Sequence, residues 1–149
     1  MKKKILAKNK KAFFDYEILE TLEAGIVLSG SEVKSVKTGH IQLKGSYISI
    51  RGAEVWLIKA HISPYKQGLR FEPEAERKLL LKKIEIKNLV GKLNTAGITL
   101  IPTEIYLKKN LIKVAVSVAR GKKQYDKREV KKKRELERSL RREYKNIKI

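Results

Sequence analysis

From Leu111 to Ala119 the chain alternates strictly, with Ile112, Val114, Val116 and Val118 on one side and Leu111, Lys113, Ala115, Ser117 and Ala119 on the other. A period of two suits a pleated strand with one face in a core and fits no helix, so the chain must build a sheet. Lys109-Asn110 reads as a turn joining this strand to a partner from Thr103 to Lys108. Pro102 has no backbone N–H to donate, which restricts it to the start of that strand, a bulge or an edge.

Further strands follow from the same signal. Ser46 to Arg51, a turn at Gly52-Ala53 and Glu54 to Ile62 form a second hairpin, with Trp56, Ile58, Ala60 and Ile62 expected on one face. An earlier pair is expected from Phe14 to Thr21 and from Ala24 to Ser29, giving about six antiparallel strands. Two helices interrupt them. Ser31 is the expected N-cap of a helix from Glu32 to Thr38, with Gly39 ending it, and Ile86, Leu89, Val90 and Leu93 have the helical spacing of a second. The pattern predicts a mainly β chain: a small antiparallel barrel, oligonucleotide-binding-like, with two or three short helices and a basic C-terminal tail.

Charge points to the partner. Thirty-six Lys and Arg against 16 Asp and Glu leave a net charge of +20. Folding does not require such an excess; a polyanion partner does, nucleic acid ahead of an anionic membrane. Residues 120–149 hold 14 Lys and Arg and 5 Asp and Glu, about three times the net charge density of the rest. Leu136, Leu140, Tyr144 and Ile147 give this segment only a thin apolar stripe, too little to offset the entropy of ordering it. We therefore expect three parts: a basic arm over 1–11, an RNA-binding barrel over 12–119, and a tail over 120–149 that is disordered alone and helical on its target.

The same composition narrows the chemistry. Without cysteine there is no disulfide, thiolate nucleophile or thiolate zinc site, and His40 and His61 alone offer little to a metal. No nucleotide-binding, hydrolase or zinc-protease motif is present; Gly121-Lys122-Lys123 lacks the remainder of a phosphate loop. Glu72, Glu74 and Glu76 form the densest acidic group, better read as the start of a helix than as a magnesium site. No cofactor, metal or catalytic residue is expected, and with no secretory or membrane-spanning segment the chain is expected to be soluble and cytoplasmic. Tyr47, Tyr65, Phe71, Tyr106 and Tyr125 lie near Lys or Arg, where aromatic rings can stack on RNA bases.

Four motifs then occur in order: Asn9-Lys-Lys-Ala12 with Tyr16; Glu23-Ala-Gly25, Leu28, Gly30 and Glu32-Val-Lys-Ser35; Arg77-Lys-Leu-Leu-Leu81; and Gly121-Lys-Lys-Gln-Tyr-Asp-Lys-Arg128. Across nearly its whole length the chain resembles the small protein B family, the bacterial SsrA-binding proteins. The resemblance implies a non-enzymatic adaptor of trans-translation. It would bind the tRNA-like domain of transfer-messenger RNA, stand in for the missing anticodon arm and act as a monomer on the ribosome, against small-subunit ribosomal RNA. It also implies RNA-binding roles for Asn9, Lys10, Glu23, Lys34, Arg77, Lys78, Leu80, Lys82, Lys122 and Lys123, with Lys82 standing where some members have Asn. Tyr125, Asp126, Lys127 and Arg128 would serve tagging in the decoding centre, Tyr125 by stacking. Two other readings of the composition are a ribosomal or assembly protein on the same barrel, and a metal-dependent nuclease using Glu72, Glu74 and Glu76.

Overall fold

The computed structural model describes residues 3–64, 68–122 and 132–139. Seven strands form one antiparallel sheet: β1 (Lys4–Lys8), β2 (Tyr16–Ile26), β4 (Tyr47–Arg51), β5 (Glu54–Ile58), β7 (Arg77–Leu80), β8 (Ile98–Lys108) and β9 (Leu111–Gly121). Their spatial order is β1-β8-β9-β2-β7-β5-β4, and the short strands β3 (Ile41–Gln42) and β6 (His61–Ile62) pair separately. The sheet curls until β4 packs near β8. Among the described residues no ladder joins the two edge strands, so this is a barrel-like open sheet.

The β8–β9 hairpin forms as the alternation requires. Lys109 and Asn110 adopt φ values of 50° and 63°, the paired left-handed conformation that closes a two-residue hairpin with the correct twist. Val114, Val116 and Val118 face the main core with Leu57, Leu79, Leu100 and Ile105. The opposite face is also covered: Ala119 and Ile101 pack beneath Ala12 of α1 (Lys10–Asp15) in a small second cluster. Pro102 lies within β8 rather than at its start, next to a break in register against β9 that absorbs its missing donor.

Several local expectations shift. The N-terminal arm is a sheet edge, since β1 pairs with β8 from Lys4 against Leu107 to Lys8 against Glu104. The two short strands expected around Thr21 are one eleven-residue strand, β2, because β9 supplies a partner along its length. In the second hairpin Val55 and Leu57 point into the core while Trp56 is only half-buried. Lys59 takes φ of 63°, ending β5 and resetting the alternation so that Ala60 and Ile62 still point inward. Helix α2 (Gly30–Lys37) is capped by Ser29, not Ser31. The Ser29 hydroxyl accepts from the Glu32 N–H and the Glu32 carboxylate accepts from the Ser29 N–H, a reciprocal box that Ser31 cannot form. Gly39 follows at φ of 81°, as its expected stop position requires. Helix α3 (Lys83–Leu93) presents Leu89 as its fully buried anchor, and burial of one such side chain contributes about 1.5–3 kcal/mol.

Candidate RNA-binding surface

Strand pairing gathers the exposed chemistry on the outer face of the sheet. On β2 Glu23 lies opposite Ala115 and Gly25 opposite Lys113, while across β9 Lys113 lies opposite Tyr106. On the other flank Gly25 lies opposite Leu80, and Lys78 lies opposite Trp56. Directly opposed residues share a face, so Lys108, Lys113, Glu23, Leu80, Lys78 and the half-buried Trp56 lie on one face of the sheet, with Tyr106 buried among them.

Gly25 explains why the Glu-Ala-Gly motif ends in glycine. A Cβ at Gly25 would come 3.3 Å from the Leu80 Cβ, tight enough to displace it. Its absence lets Leu80 lie across β2 while remaining 53% exposed. An exposed leucine on the same sheet face as Lys78, Lys113 and Lys108 offers apolar contact where phosphates can also be neutralised.

Glu23 is tied on this surface. The Tyr106 hydroxyl donates to Glu23 Oε2 at 2.5 Å and Lys108 Nζ donates to the same oxygen at 3.3 Å. The Tyr106 hydroxyl holds the Glu23 carboxyl below its ordinary range against the opposing effect of burial, with Lys108 and Lys113 adding to the lowering. Burial, then Glu23, pushes the Tyr106 phenol upward, so it remains a donor at neutral pH. Lys3 Nζ sits 4.6 Å from the centre of the Tyr106 ring and 3.4 Å from Glu104 Oε2.

Other expected site residues separate by location. Glu23, Lys78 and Leu80 share the outer face, with Lys82 exposed two residues beyond Leu80 at the N-cap of α3, where its N–H donates to the Glu85 carboxylate. Lys10 and Lys34 are exposed on α1 and α2. Lys122 closes β9 onto α1: its N–H donates to Asp15 O at 2.9 Å and its Nζ to Phe13 O at 3.2 Å. Asn9 and Arg77, expected among the RNA-binding residues, have side chains that are buried and committed internally. Asn9 Oδ1 accepts from the Ala12 N–H, and Nδ2 donates to Pro102 O at 2.9 Å, fixing α1 to the β8 bulge. Arg77 pairs with Glu32 at 2.7 Å and also donates to Ala60 O and Glu72 O. Lys123, Tyr125, Asp126, Lys127 and Arg128 lie outside the described residues, and so does Tyr65.

Of the remaining aromatics, Tyr47 is exposed and Phe71 packs against the core. Sequence reasoning gave no binding role to Lys108, Lys113, Lys3 or Trp56, and did not make Tyr106 the partner of Glu23. The two-residue turn at Lys109-Asn110 already sets Tyr106 opposite Lys113, so that pair was readable; its proximity to Glu23 was not. The acidic group dissolves: Glu76 forms a two-point pair with Arg51 at 2.7 and 2.9 Å. Among the described residues no three potential metal ligands gather, and no helix is long and apolar enough to cross a membrane.

Comparison with known proteins identifies relatives of the whole chain. A family model described as SmpB protein matches residues 6–146. An SsrA-binding protein of Desulfitobacterium hafniense is 52% identical over 144 residues, covering 93% of this chain and 92% of that protein. One from Streptococcus pyogenes serotype M49 is 49% identical, covering 95% and 93%. A solved chain from a study of tmRNA-SmpB at the center of the bacterial ribosome superposes with a TM-score of 0.67 at 41% identity, covering 83% of this chain and 92% of that one.

Proposed function

The chain belongs to the SmpB family of SsrA-binding proteins, and from that premise we propose that it binds transfer-messenger RNA and brings it to stalled bacterial ribosomes. It is a binding protein rather than an enzyme, and its work lies in the cytoplasm with the ribosome. The observation that carries this reading is the outer sheet face, which holds Lys78, Lys108 and Lys113 together with an exposed Leu80 and a tethered Glu23. Lysines neutralise and position phosphates, while Leu80, Trp56 and the carboxylate suit the unstacked bases and hydroxyls of a folded RNA loop rather than a regular duplex. The tRNA-like domain is the part of the RNA that this face would hold, with the protein filling the place of the anticodon arm.

Asn9 and Arg77 support this surface from below, and Lys10, Lys34, Lys82, Lys122 and Lys123 serve RNA binding through their positive charge. In the tail, Tyr125, Asp126, Lys127 and Arg128 serve tagging in the decoding centre, and the dense charge of 120–149 follows the mRNA path against small-subunit RNA. Two experiments test these parts. In a gel shift, the protein should bind the tRNA-like fragment in preference to an unrelated RNA of equal length; equal binding would reduce it to a general polycation governed by salt. In reconstituted translation, the triple variant Asp126→Ala, Lys127→Ala, Arg128→Ala should keep RNA affinity and lose tagging. Its net charge changes by only about one unit in twenty, so a purely electrostatic tail would tag normally.

A further inference from the structure

A carboxylate is an awkward group to present to a polyanion. Unless it meets a hydrogen-bond donor it repels the ligand, and a free glutamate chain would turn aside toward a neighbouring lysine. Here Glu23 cannot swing freely: both of its donors, the Tyr106 hydroxyl and Lys108 Nζ, reach Oε2. Oε1 has no partner among the described residues, and the side chain is 38% exposed. Tyr106 is itself fixed, 5% exposed and covered by Lys3 over its ring. Beside this assembly lies a cavity of about 400 Å³ bounded by Lys3, Phe13, Thr21, Glu23, Glu104 and Tyr106, the volume range of small-ligand sites.

Resting on the RNA-binding function above, we propose that Tyr106 is a positioning residue: its hydroxyl clamps Glu23 Oε2, so that Oε1 enters the RNA interface as one directed acceptor for an O–H or N–H donor. The donor is a ribose 2′-hydroxyl or the exocyclic amino group of an unstacked base, which share the chemistry that a carboxylate oxygen accepts. Phosphate, with no proton to give at neutral pH, is turned away from this point and toward Lys108 and Lys113. The clamp thereby adds selectivity to a face whose lysines alone would bind any RNA.

The test is a double-mutant cycle on full-length protein, with Tyr106→Phe, Glu23→Gln and their combination titrated against the tRNA-like fragment at fixed salt. Tyr106→Phe keeps the ring and should weaken binding about fivefold to tenfold, the scale of one hydrogen bond to a charged group. In the Glu23→Gln background the same change should cost less than twofold. A merely structural tyrosine would weaken both backgrounds equally, and that additivity would overturn the proposal whether or not the variants melt early. Two further sets of RNA separate the donors: one with 2′-deoxy sugars, and one that removes each base amino group of the loops in turn (inosine for guanosine, purine riboside for adenosine, zebularine for cytidine). At least one of these RNAs should bind the wild type more weakly while leaving Glu23→Gln unaffected; if none does, no donor meets Oε1 and the proposal falls. Preference of the wild type for the fragment over unrelated RNA is scored separately. If that preference holds but the cycle is additive, the clamp fails and the RNA-binding function stands; if the preference is absent, both fail.

Discussion

Replacing Arg77 with Met should damage the fold and leave the RNA face intact. The Arg77 side chain is 2% exposed and its Glu32 partner 12% exposed, with Nε and Oε2 2.7 Å apart. Two further donations, to Ala60 O at 2.8 Å and Glu72 O at 3.2 Å, tie β7 to the end of β5 and to the 72–76 connection. Methionine fills much of the volume but strands a carboxylate and two carbonyls, and breaking a buried pair from one side costs about 3–5 kcal/mol. At about 3 °C per kcal/mol for a domain of this size, the melting temperature should fall roughly 10–15 °C. Adding Glu32→Leu removes the stranded charge and should recover at least half of the loss. Acid should mimic the single variant. Burial raises the Glu32 carboxyl, but the Ser29 N–H and the Arg77 guanidinium outweigh it and leave it below its ordinary value of 4.5. The pair's contribution is therefore fully present above the unfolded value and is lost as pH falls through the lower, folded one. In Arg77→Met that part of the acid dependence disappears. Calorimetry at pH 7 and at a descending series of pH values below 4.5, with RNA titrations at 20 °C where both proteins are folded, checks each step. A melting temperature within 3 °C of wild type, or a tenfold loss of RNA affinity in a protein that melts normally, would refute the reasoning.

Leu80→Ala should lower affinity for the tRNA-like fragment severalfold while moving the melting temperature by less than about 3 °C, because a side chain 53% exposed contributes little to the core. Ending the chain after Lys122 should leave a cooperatively melting sheet that still binds the fragment. Ending it after Ala119 should melt earlier, since Gly121 pairs with Tyr16 and Lys122 holds α1; circular dichroism distinguishes the two. Lys109→Gly should raise stability by up to about 1 kcal/mol in denaturant melts, because lysine there is held at φ of 50°. No gain would mean that the extra freedom glycine gives the unfolded chain cancels the relief.

Much of this protein is local in origin and was open to reading. The alternation from Leu111 to Ala119, the turn at Lys109-Asn110, the stop at Gly39 and the stripe ending at Leu93 depend only on residues a few positions apart, and backbone geometry converts each directly into an element. Net charge, summed over the chain, called for a polyanion without any fold. What failed was whatever depends on a partner distant in sequence. An arginine beside a lysine in Arg77-Lys78 reads as surface until α2 brings Glu32 across to it, 45 residues away, and Asn9 reads as polar surface until the β8 bulge arrives 93 residues later. Residues 4–8 became a strand because β8 offered an unpaired edge, and the phase of the chain after Trp56 changed because Lys59 took a left-handed turn that tertiary packing sustains. Glu23 shows the division most clearly. Its motif was visible in the sequence, but the tyrosine that holds it lies 83 residues away, and only the register of β2 against β9 and of β9 against β8 brings the two within 2.5 Å.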